Sequence, residues 1–186
     1  MKYPEKYFVS AILCLIAVLL PQETRPADTR TIMQMMTQAS QMLCAGDYDK
    51  TIEKCNEILR IEPRCSGAYY VRGFAYRYKE DYDRSIMDFT QTIRIDPKYA
   101  AAYYGRALSY AYKQMYAEAI SDFTSAIAID PKYTDAYFNR ARVYYDTEEY
   151  DKAWGDVRKA RALGLETDLM YKGFIRKLQE ASGRFQ

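Results

Sequence analysis

The chain repeats itself every 34 residues, and this period constrains its fold more than any other feature of the sequence. Residues 66–99 and 100–133 align with each other without a gap. The tyrosines that recur at this spacing are Tyr48, Tyr82, Tyr116 and Tyr150, and the prolines are Pro63, Pro97 and Pro131. A fixed period of this size is typical of solenoids, in which each unit buries its apolar face against its neighbours. The sequence therefore predicts an elongated repeat protein.

Each unit predicts a pair of helices. Apolar residues recur at helical spacing in two runs, and a short polar turn such as residues 79–81 separates them. Pro97 and Pro131 end the second helix, because proline cannot continue a helix and disfavours helical backbone in the residue before it. In the last unit Gly164 is suited to a left-handed helix end. The predicted fold class is all-α, a solenoid of four helix hairpins.

The repeated positions identify a family. We number the positions of each unit from 1 to 34, with position 1 at residues 32, 66, 100 and 134. The units favour an aromatic residue at position 4, a small one at 8, tyrosine at 11, a small one at 20, an aromatic at 24 and proline at 32. This pattern resembles the tetratricopeptide repeat (TPR) family. The resemblance implies a degenerate first repeat at 32–65 and further repeats at 66–99, 100–133 and 134–166.

Two segments flank the repeats. Residues 167–186 place Leu169, Met170, Phe174, Ile175 and Leu178 on one helical face, which predicts a capping helix and tail over the fourth unit. Residues 1–23 combine early lysines with an apolar run at 8–20 that is short for a membrane span, as in a signal peptide.

No clear cleavage site follows that apolar run, so a cleaved signal peptide and an uncleaved anchor both remain open. Residues 24–31 are predicted to be a linker. We expect an exported protein, periplasmic or secreted, or one anchored to a membrane by residues 8–20.

Comparison of the copies indicates an ion pair in three of them. Position 7 is arginine and position 23 is aspartate in the last three units, whereas the first unit has Gln38 and Lys54 there. The predicted pairs, one across each hairpin, are Arg72 with Asp88, Arg106 with Asp122, and Arg140 with Asp156. Such pairs stabilise by only about 0 to 1 kcal/mol each when they are exposed. The alternative is a ladder of arginines that binds an anionic ligand.

Tyrosine is unusually abundant, with twenty copies. Ten lie at positions 4, 11 and 17, which the repeat uses for packing, and these we expect in the core. The resemblance implies that positions 2, 5, 9, 12 and 13 of the first helix line a concave groove that binds peptides. The predicted groove residues are Tyr70, Phe74, Arg77, Tyr78, Tyr104, Leu108, Tyr112, Phe138, Arg142 and Tyr145, with Asp135 and Asp146 among them.

Several classes of function are excluded or disfavoured. The chain has no histidine, which excludes the Ser-His-Asp triad and histidine-ligated metal sites. A net charge of +2 without a basic block disfavours nucleic-acid binding. The spacing of Cys44, Cys55 and Cys65 matches no common zinc site, and we expect buried free thiols, with intermolecular pairing left open. We expect no catalysis, metal or cofactor.

The sequence therefore predicts a non-enzymatic interaction module or scaffold that binds a peptide segment of a partner protein. Of the lysine and asparagine residues that family members use to hold a chaperone's terminal carboxylate, only Asn139 has a counterpart here. One asparagine cannot hold a carboxylate alone, so another kind of peptide is expected. One alternative is self-assembly through the first repeat, a homo-oligomer joined by Met33, Met35, Met36 and Met42. Another is the binding of a glycan or other small ligand on the tyrosine rings.

Overall fold

The computed structural model describes residues 29–165 and 169–183, and within these residues every regular element is a helix. The helices are α1 (Thr29–Cys44), α2 (Tyr48–Ile61), α3 (Ser66–Tyr78), α4 (Tyr82–Ile95), α5 (Ala100–Tyr112), α6 (Tyr116–Ile129), α7 (Thr134–Asp146), α8 (Tyr150–Ala162) and α9 (Leu169–Ser182). The all-α class is thereby confirmed for this part of the chain. No helix in it combines the length and hydropathy of a membrane span.

The predicted signal peptide or anchor at 1–23 lies outside the described residues. Helix α1 begins at Thr29, so the last three residues of the predicted linker are helical. The described helices α1 to α8 form four hairpins, and each hairpin turn places position 15 in the left-handed backbone region. That residue is Gly46 in the first hairpin, with φ of +81°, and Glu80, Gln114 and Glu148 in the others, with φ near +60°. Gly164 ends α8 with φ of +88°, which confirms the predicted left-handed helix end.

The hairpins stack so that the first helix of each lies on one side. Successive first helices α1, α3, α5 and α7 contact one another, whereas successive second helices make few or no contacts. Each second helix packs instead against the first helix of the next hairpin. A stack that is tighter along one side curves toward it, so the first helices form the concave side. Helix α9 closes the end of the stack by packing on α8.

The core between hairpins is built from rings at position 24 set against small residues. Phe89 and Phe123 are fully buried there, and Cys55 takes the same place in the first hairpin. A Cβ atom on Gly73 would lie 3.2 Å from the Phe89 ring, and one on Gly105 would lie 2.5 Å from it. Residue 105 must therefore be glycine for the second and third hairpins to pack closely on both sides of the Phe89 ring.

The arginine–aspartate pairs predicted from the sequence are all formed. Arg106 donates from Nε to Asp122 Oδ2 over 2.7 Å and from Nη2 to Oδ1 over 2.9 Å. The bonds of Arg72 to Asp88 and of Arg140 to Asp156 repeat this geometry at 2.7 to 2.8 Å. The paired side chains are only 7 to 18% exposed. Shielded, bidentate pairs of this kind are stronger than surface pairs.

Each paired arginine also reaches the preceding hairpin. Arg106 Nη1 donates to Thr90 Oγ1 over 3.0 Å, and Arg140 Nη1 donates to Thr124 Oγ1 over 2.8 Å. Arg72 makes the same connection to Asn56. The guanidinium thus joins three helices, two of its own hairpin and one of the hairpin before. Three donors of each guanidinium are occupied within the chain in this way, which argues against the alternative ladder of arginines for an anionic ligand.

The tyrosines expected in the core mostly lie at its edge. Those at positions 4 and 11 flank the paired arginines: Arg106 Cζ lies 5.7 Å from the Tyr103 ring centroid and 6.0 Å from that of Tyr110. Of the ten, only Tyr76 and Tyr137 are buried. The expectation was wrong because these rings pack against a guanidinium and keep their hydroxyls near solvent, as polar aromatic residues do.

The methionines of the first hairpin are not all available for the contacts that the self-assembly alternative assigns to them. Met35 and Met36 pack against the buried cluster around Ile58 that the first and second hairpins share, and Met33 is 67% exposed. Two of the four methionines are thus already covered within the chain.

Candidate functional site

The concave side of the second hairpin carries a connected set of aromatic rings. Tyr70, at position 5, stacks on Tyr99 with ring centroids 4.8 Å apart. Phe74, one helical turn further along α3, meets the edge of Tyr70 at 5.0 Å and that of buried Phe89 at 5.1 Å. The concave rings are therefore held in place by the core beneath them.

The third hairpin repeats this arrangement. Tyr104 lies 4.9 Å from Tyr133 and 5.8 Å from Phe123, and Asn139 Nδ2 donates to the Tyr104 hydroxyl over 3.1 Å. Leu108 packs half-buried on the same side.

Sequence analysis missed Tyr99 and Tyr133, which stand at position 34. The copies carried a signal for them, because positions 5 and 34 are both tyrosine in the second and third units. In the first and fourth units neither position is tyrosine. This is the same covariation that revealed the arginine–aspartate pairs.

The rings at position 13 form the exposed edge of the concave side. Tyr78 stacks on Tyr48 of the preceding hairpin at 5.2 Å, and Tyr112 stacks on Tyr82 at 5.3 Å with planes only 4° apart. Despite this stacking, Tyr78 is 49% exposed and Tyr112 is 61% exposed. Two position-17 tyrosines expected in the core therefore support groove residues instead.

A pocket of about 540 Å³ opens where the first two hairpins meet. Its lining residues are Leu43, Cys44, Ala45, Gly46, Tyr48, Tyr70, Phe74 and Tyr78. Three of the predicted groove residues thus border one mainly apolar depression.

The cysteines are free, but they are not all buried as expected. Cys55 is buried, and burial raises the pKa of its thiol to about 12. Cys44 is exposed at the rim of the pocket because it stands at position 13, where the other copies have Tyr78, Tyr112 and Asp146. Cys65 is half-buried.

The fourth hairpin does not continue the open surface. Phe138 is only 6% exposed and packs edge-on against Phe174 of α9 at 5.5 Å. Tyr145 meets the same ring at 5.7 Å. Phe138 and Tyr145 were predicted to line the groove, but α9 covers both, because the last hairpin has no fifth repeat to bury its apolar surface.

The two groove arginines lie in different surroundings. The Arg77 guanidinium lies over the rings of Phe74 and Tyr78, with its Cζ 5.3 and 4.5 Å from the two centroids. Its Nε is buried without a hydrogen-bond acceptor, and it forms no ion pair with any residue the structure describes. Arg142 is exposed and donates to Asn139 Oδ1 over 3.3 Å.

The hydroxyls of Tyr70 and Tyr104 on the concave side stay neutral well above physiological pH. Burial raises the pKa of Tyr70 to about 12, with smaller contributions from Tyr99 and Tyr78. Burial and then Asp135 raise the pKa of Tyr104 to about 12, against the opposing effect of Arg77 and Arg142. A neutral hydroxyl can both donate and accept a hydrogen bond, so these rings offer polar as well as apolar contacts.

The arrangement suits noncovalent binding. It combines large, ordered rings, neutral hydroxyls and one uncompensated guanidinium along a curved surface of two hairpins. Within residues 29–165 and 169–183, no group of acidic or cysteine side chains is arranged to hold a metal ion.

Family models match three stretches of the chain. All three are described as tetratricopeptide repeats, and they cover residues 66–99, 100–133 and 123–155. No curated protein sequence matches the chain.

Solved structures share the fold at low sequence identity. MamA 41-end from Desulfovibrio magneticus RS-1 is 19% identical with a TM-score of 0.74, over 86% of this chain and 89% of that one. Another MamA crystal structure is 23% identical with a TM-score of 0.69, over 84% and 85%. The first TPR of Spaghetti (RPAP3), bound to the HSP90 peptide SRMEEVD, is 24% identical with a TM-score of 0.61, over 63% and 93%.

Proposed function

Because the chain is a tetratricopeptide repeat protein, we propose that it is a non-enzymatic interaction module that binds a peptide segment of a partner protein. The binding surface is the concave side of the first three hairpins, from the pocket beside Tyr78 to the ring of Tyr112. The fourth hairpin contributes only its uncovered edge near Arg142.

One observation carries this proposal: the second and third hairpins present ordered aromatic rings on the concave side that the core does not enclose. Tyr78 and Tyr112 keep about half or more of their surface exposed while stacked on a second ring. Rings fixed in this way lose little conformational entropy when a ligand binds, and each offers a large contact area with a polar tip.

A peptide suits this surface better than a compact small molecule. The site is a strip that spans three hairpins with one shallow apolar pocket at its end, and small-molecule sites are normally deeper enclosures. An extended or helical segment can place successive side chains along such a strip. The Spaghetti repeat domain, whose structure holds an HSP90 peptide, shares the fold and supports a peptide as the class of guest.

We also propose that the protein acts after export or at a membrane surface, on the strength of residues 1–23 alone. Sequencing the amino terminus of the protein recovered from its native cells tests this. A new terminus between residues 21 and 31 supports cleavage, and an intact terminus in the membrane fraction supports an anchor. An intact terminus in the soluble cell interior contradicts both.

Affinity capture tests the binding surface. The double variant Tyr78→Ser, Tyr112→Ser removes the two exposed rings, and Met87→Ser is a matched control because Met87 is 66% exposed on α4, outside the groove. We expect wild type and control to capture the same partner from native cells and the double variant to lose it while keeping its circular dichroism spectrum. Equal capture by all three would show that the partner binds elsewhere.

A further inference from the structure

Arg77 is the feature of the concave side that packing within the described chain leaves unexplained. Position 12 holds Leu43, Ala111 and Tyr145 in the other units, so the repeat itself has no need of a cation there. The guanidinium is half-buried between rings, its Nε has no acceptor, and no described carboxylate pairs with it. A partly desolvated charge without a partner is unfavourable, and an anion supplied by a ligand would relieve that cost.

The other arginines of the first helices show what a satisfied guanidinium looks like in this protein. Each position-7 arginine donates two bonds to its own aspartate and a third to the preceding hairpin. Arg142 has Asn139 as an acceptor. It also lies near Asp146, where burial raises the pKa of the carboxyl and the positive charge of Arg142 opposes that rise.

The surroundings hold the Arg77 guanidinium ready for a ligand. Its Cζ lies 4.5 Å from the Tyr78 centroid and 5.3 Å from that of Phe74, so stacking fixes the side chain before any ligand arrives. Both rings also line the 540 Å³ pocket. A ligand that fills the pocket with an apolar side chain would therefore carry its next polar groups past Arg77.

Building on the proposed function, we propose that the partner segment carries an aspartate or glutamate that pairs with Arg77, one to three residues from a large apolar side chain that occupies the pocket. A carboxylate is favoured over a backbone carbonyl because it adds an opposite charge and can accept two parallel N–H bonds from the planar guanidinium. Asp135 and Asp146 lie toward the fourth hairpin and would repel an acidic residue there. The acidic part of the segment therefore lies over the second hairpin, and its neutral or basic part lies over the third.

Selection from a library of displayed random twelve-residue peptides on the full chain tests this. We expect enriched sequences to share an acidic residue within three positions of a Phe, Leu, Ile, Met or Trp. The most enriched peptide is then synthesised with its acidic residue as Glu or as Gln, and binding is measured by fluorescence anisotropy. For wild type the Glu→Gln change in the peptide weakens binding about tenfold, as expected for one charged hydrogen-bonded contact.

Two variants separate the charge from the surface. With Arg77→Gln, the Glu and Gln peptides bind alike, whereas Arg94→Gln, an exposed arginine on α4, keeps the tenfold difference. Arg77→Lys restores part of it, because a lysine keeps the charge without the planar fork. Enrichment without acidic residues, or a tenfold difference that survives Arg77→Gln, overturns this inference.

The same experiment keeps the two proposals distinct. If enriched peptides depend on Tyr78 and Tyr112 but not on Arg77, the groove stands and only the acidic preference is wrong. If wild type enriches no peptide, or binding is unchanged by Tyr78→Ser with Tyr112→Ser, the proposed function is wrong as well. A sedimentation mass that rises with concentration and falls to the monomer with Arg77→Gln would identify a second copy as the occupant, against the peptide.

Discussion

The concave sides of the second and fourth hairpins carry aromatic residues at position 5 but differ in what lies above them. Tyr70 is half-buried and borders an open pocket, whereas Phe138 is 6% exposed beneath α9. A repeat position therefore fixes the direction in which a side chain points. The element that follows in the chain decides whether that side chain is surface or core.

The side-chain contacts at the junctions between successive hairpins also differ along the chain. Lys79 pairs with Asp49 across the first junction and Lys113 with Asp83 across the second, each next to a stacked tyrosine pair. At the third junction the equivalent residues are Thr147 and Ala117, and Asp146 stands where the tyrosine would be. The third junction keeps the arginine connection, through Arg140 and Thr124, and α9 covers the far side of the fourth hairpin. These differences make the fourth hairpin the part of the stack least like the others.

The largest expected effect on stability separates the covered residue Phe138 from the exposed residue Tyr112, when each is changed to alanine. We expect Phe138→Ala to lower the free energy of unfolding by about 3 kcal/mol, because it leaves a cavity beneath α9. Tyr112→Ala removes a ring that is 61% exposed and should cost about 1 kcal/mol or less. Urea unfolding followed by circular dichroism measures both. Equal losses would mean that α9 does not seal the fourth hairpin.

Two glycine-to-alanine variants compare the close contact between the second and third hairpins with the last hairpin. A Cβ on Gly105 would lie 2.5 Å from the buried Phe89 ring, so Gly105→Ala should destabilise by about 1 to 3 kcal/mol. Gly155, in α8, has nothing within 4 Å of such a Cβ, and Gly155→Ala should stabilise by about 0.5 to 1 kcal/mol through helix propensity. Thermal unfolding midpoints that move in the same direction for both variants would contradict this packing.

High pH should lower the stability of the folded chain through the hydroxyls of Tyr70 and Tyr104 on the concave side. The pKa of Tyr70 and of Tyr104 is raised to about 12 in the folded chain, against an ordinary value of 10. The unfolded chain therefore ionises first, so the stability these rings contribute is complete below about pH 10 and declines as pH rises toward 12.

Urea midpoints at about pH 8.5 and pH 11 measure this decline. We expect the double variant Tyr70→Phe, Tyr104→Phe to show a smaller decline than wild type. Tyr112→Phe, on an exposed ring, is the matched control. A double variant that declines as steeply as wild type would show that these two hydroxyls do not carry the effect.

The smallest effect concerns the exposed lysine–aspartate pair at the second junction. Lys113→Ala should cost between about 0 and 1 kcal/mol at low salt and less at high salt, because Asp83 is largely exposed. The reverse change, Ala117→Asp with Thr147→Lys, should add a similar amount at the third junction. Urea titrations at two salt concentrations distinguish this from a loss of packing, which salt would not reduce.

Sequence comparison within the chain predicted much of this molecule. The period, the hairpins and all three arginine–aspartate pairs followed from it, because identical local rules act in each copy. The same comparison would have found the stacking of Tyr70 on Tyr99, since positions 5 and 34 change together.

What the sequence did not predict depends on contacts between different elements. The burial of Phe138 requires knowing that α9 folds back over α7, and no repeat position states this. The burial of the arginine–aspartate pairs depends on tyrosines at positions 4 and 11 that lie on either side of the guanidinium. The uncompensated charge of Arg77 is visible only once every nearby carboxylate has been placed.

The arginine at position 7 has a consequence for how such a chain can grow. It binds an aspartate of its own unit and a side chain at position 25 of the unit before. The second and third copies therefore each carry both halves of the connection that joins neighbouring units, the arginine and the position-25 acceptor. A gene segment of one period, duplicated in tandem, would therefore encode a unit that fits its neighbours at once. In this architecture lengthening needs no new interface, and only the two ends must be adapted to solvent.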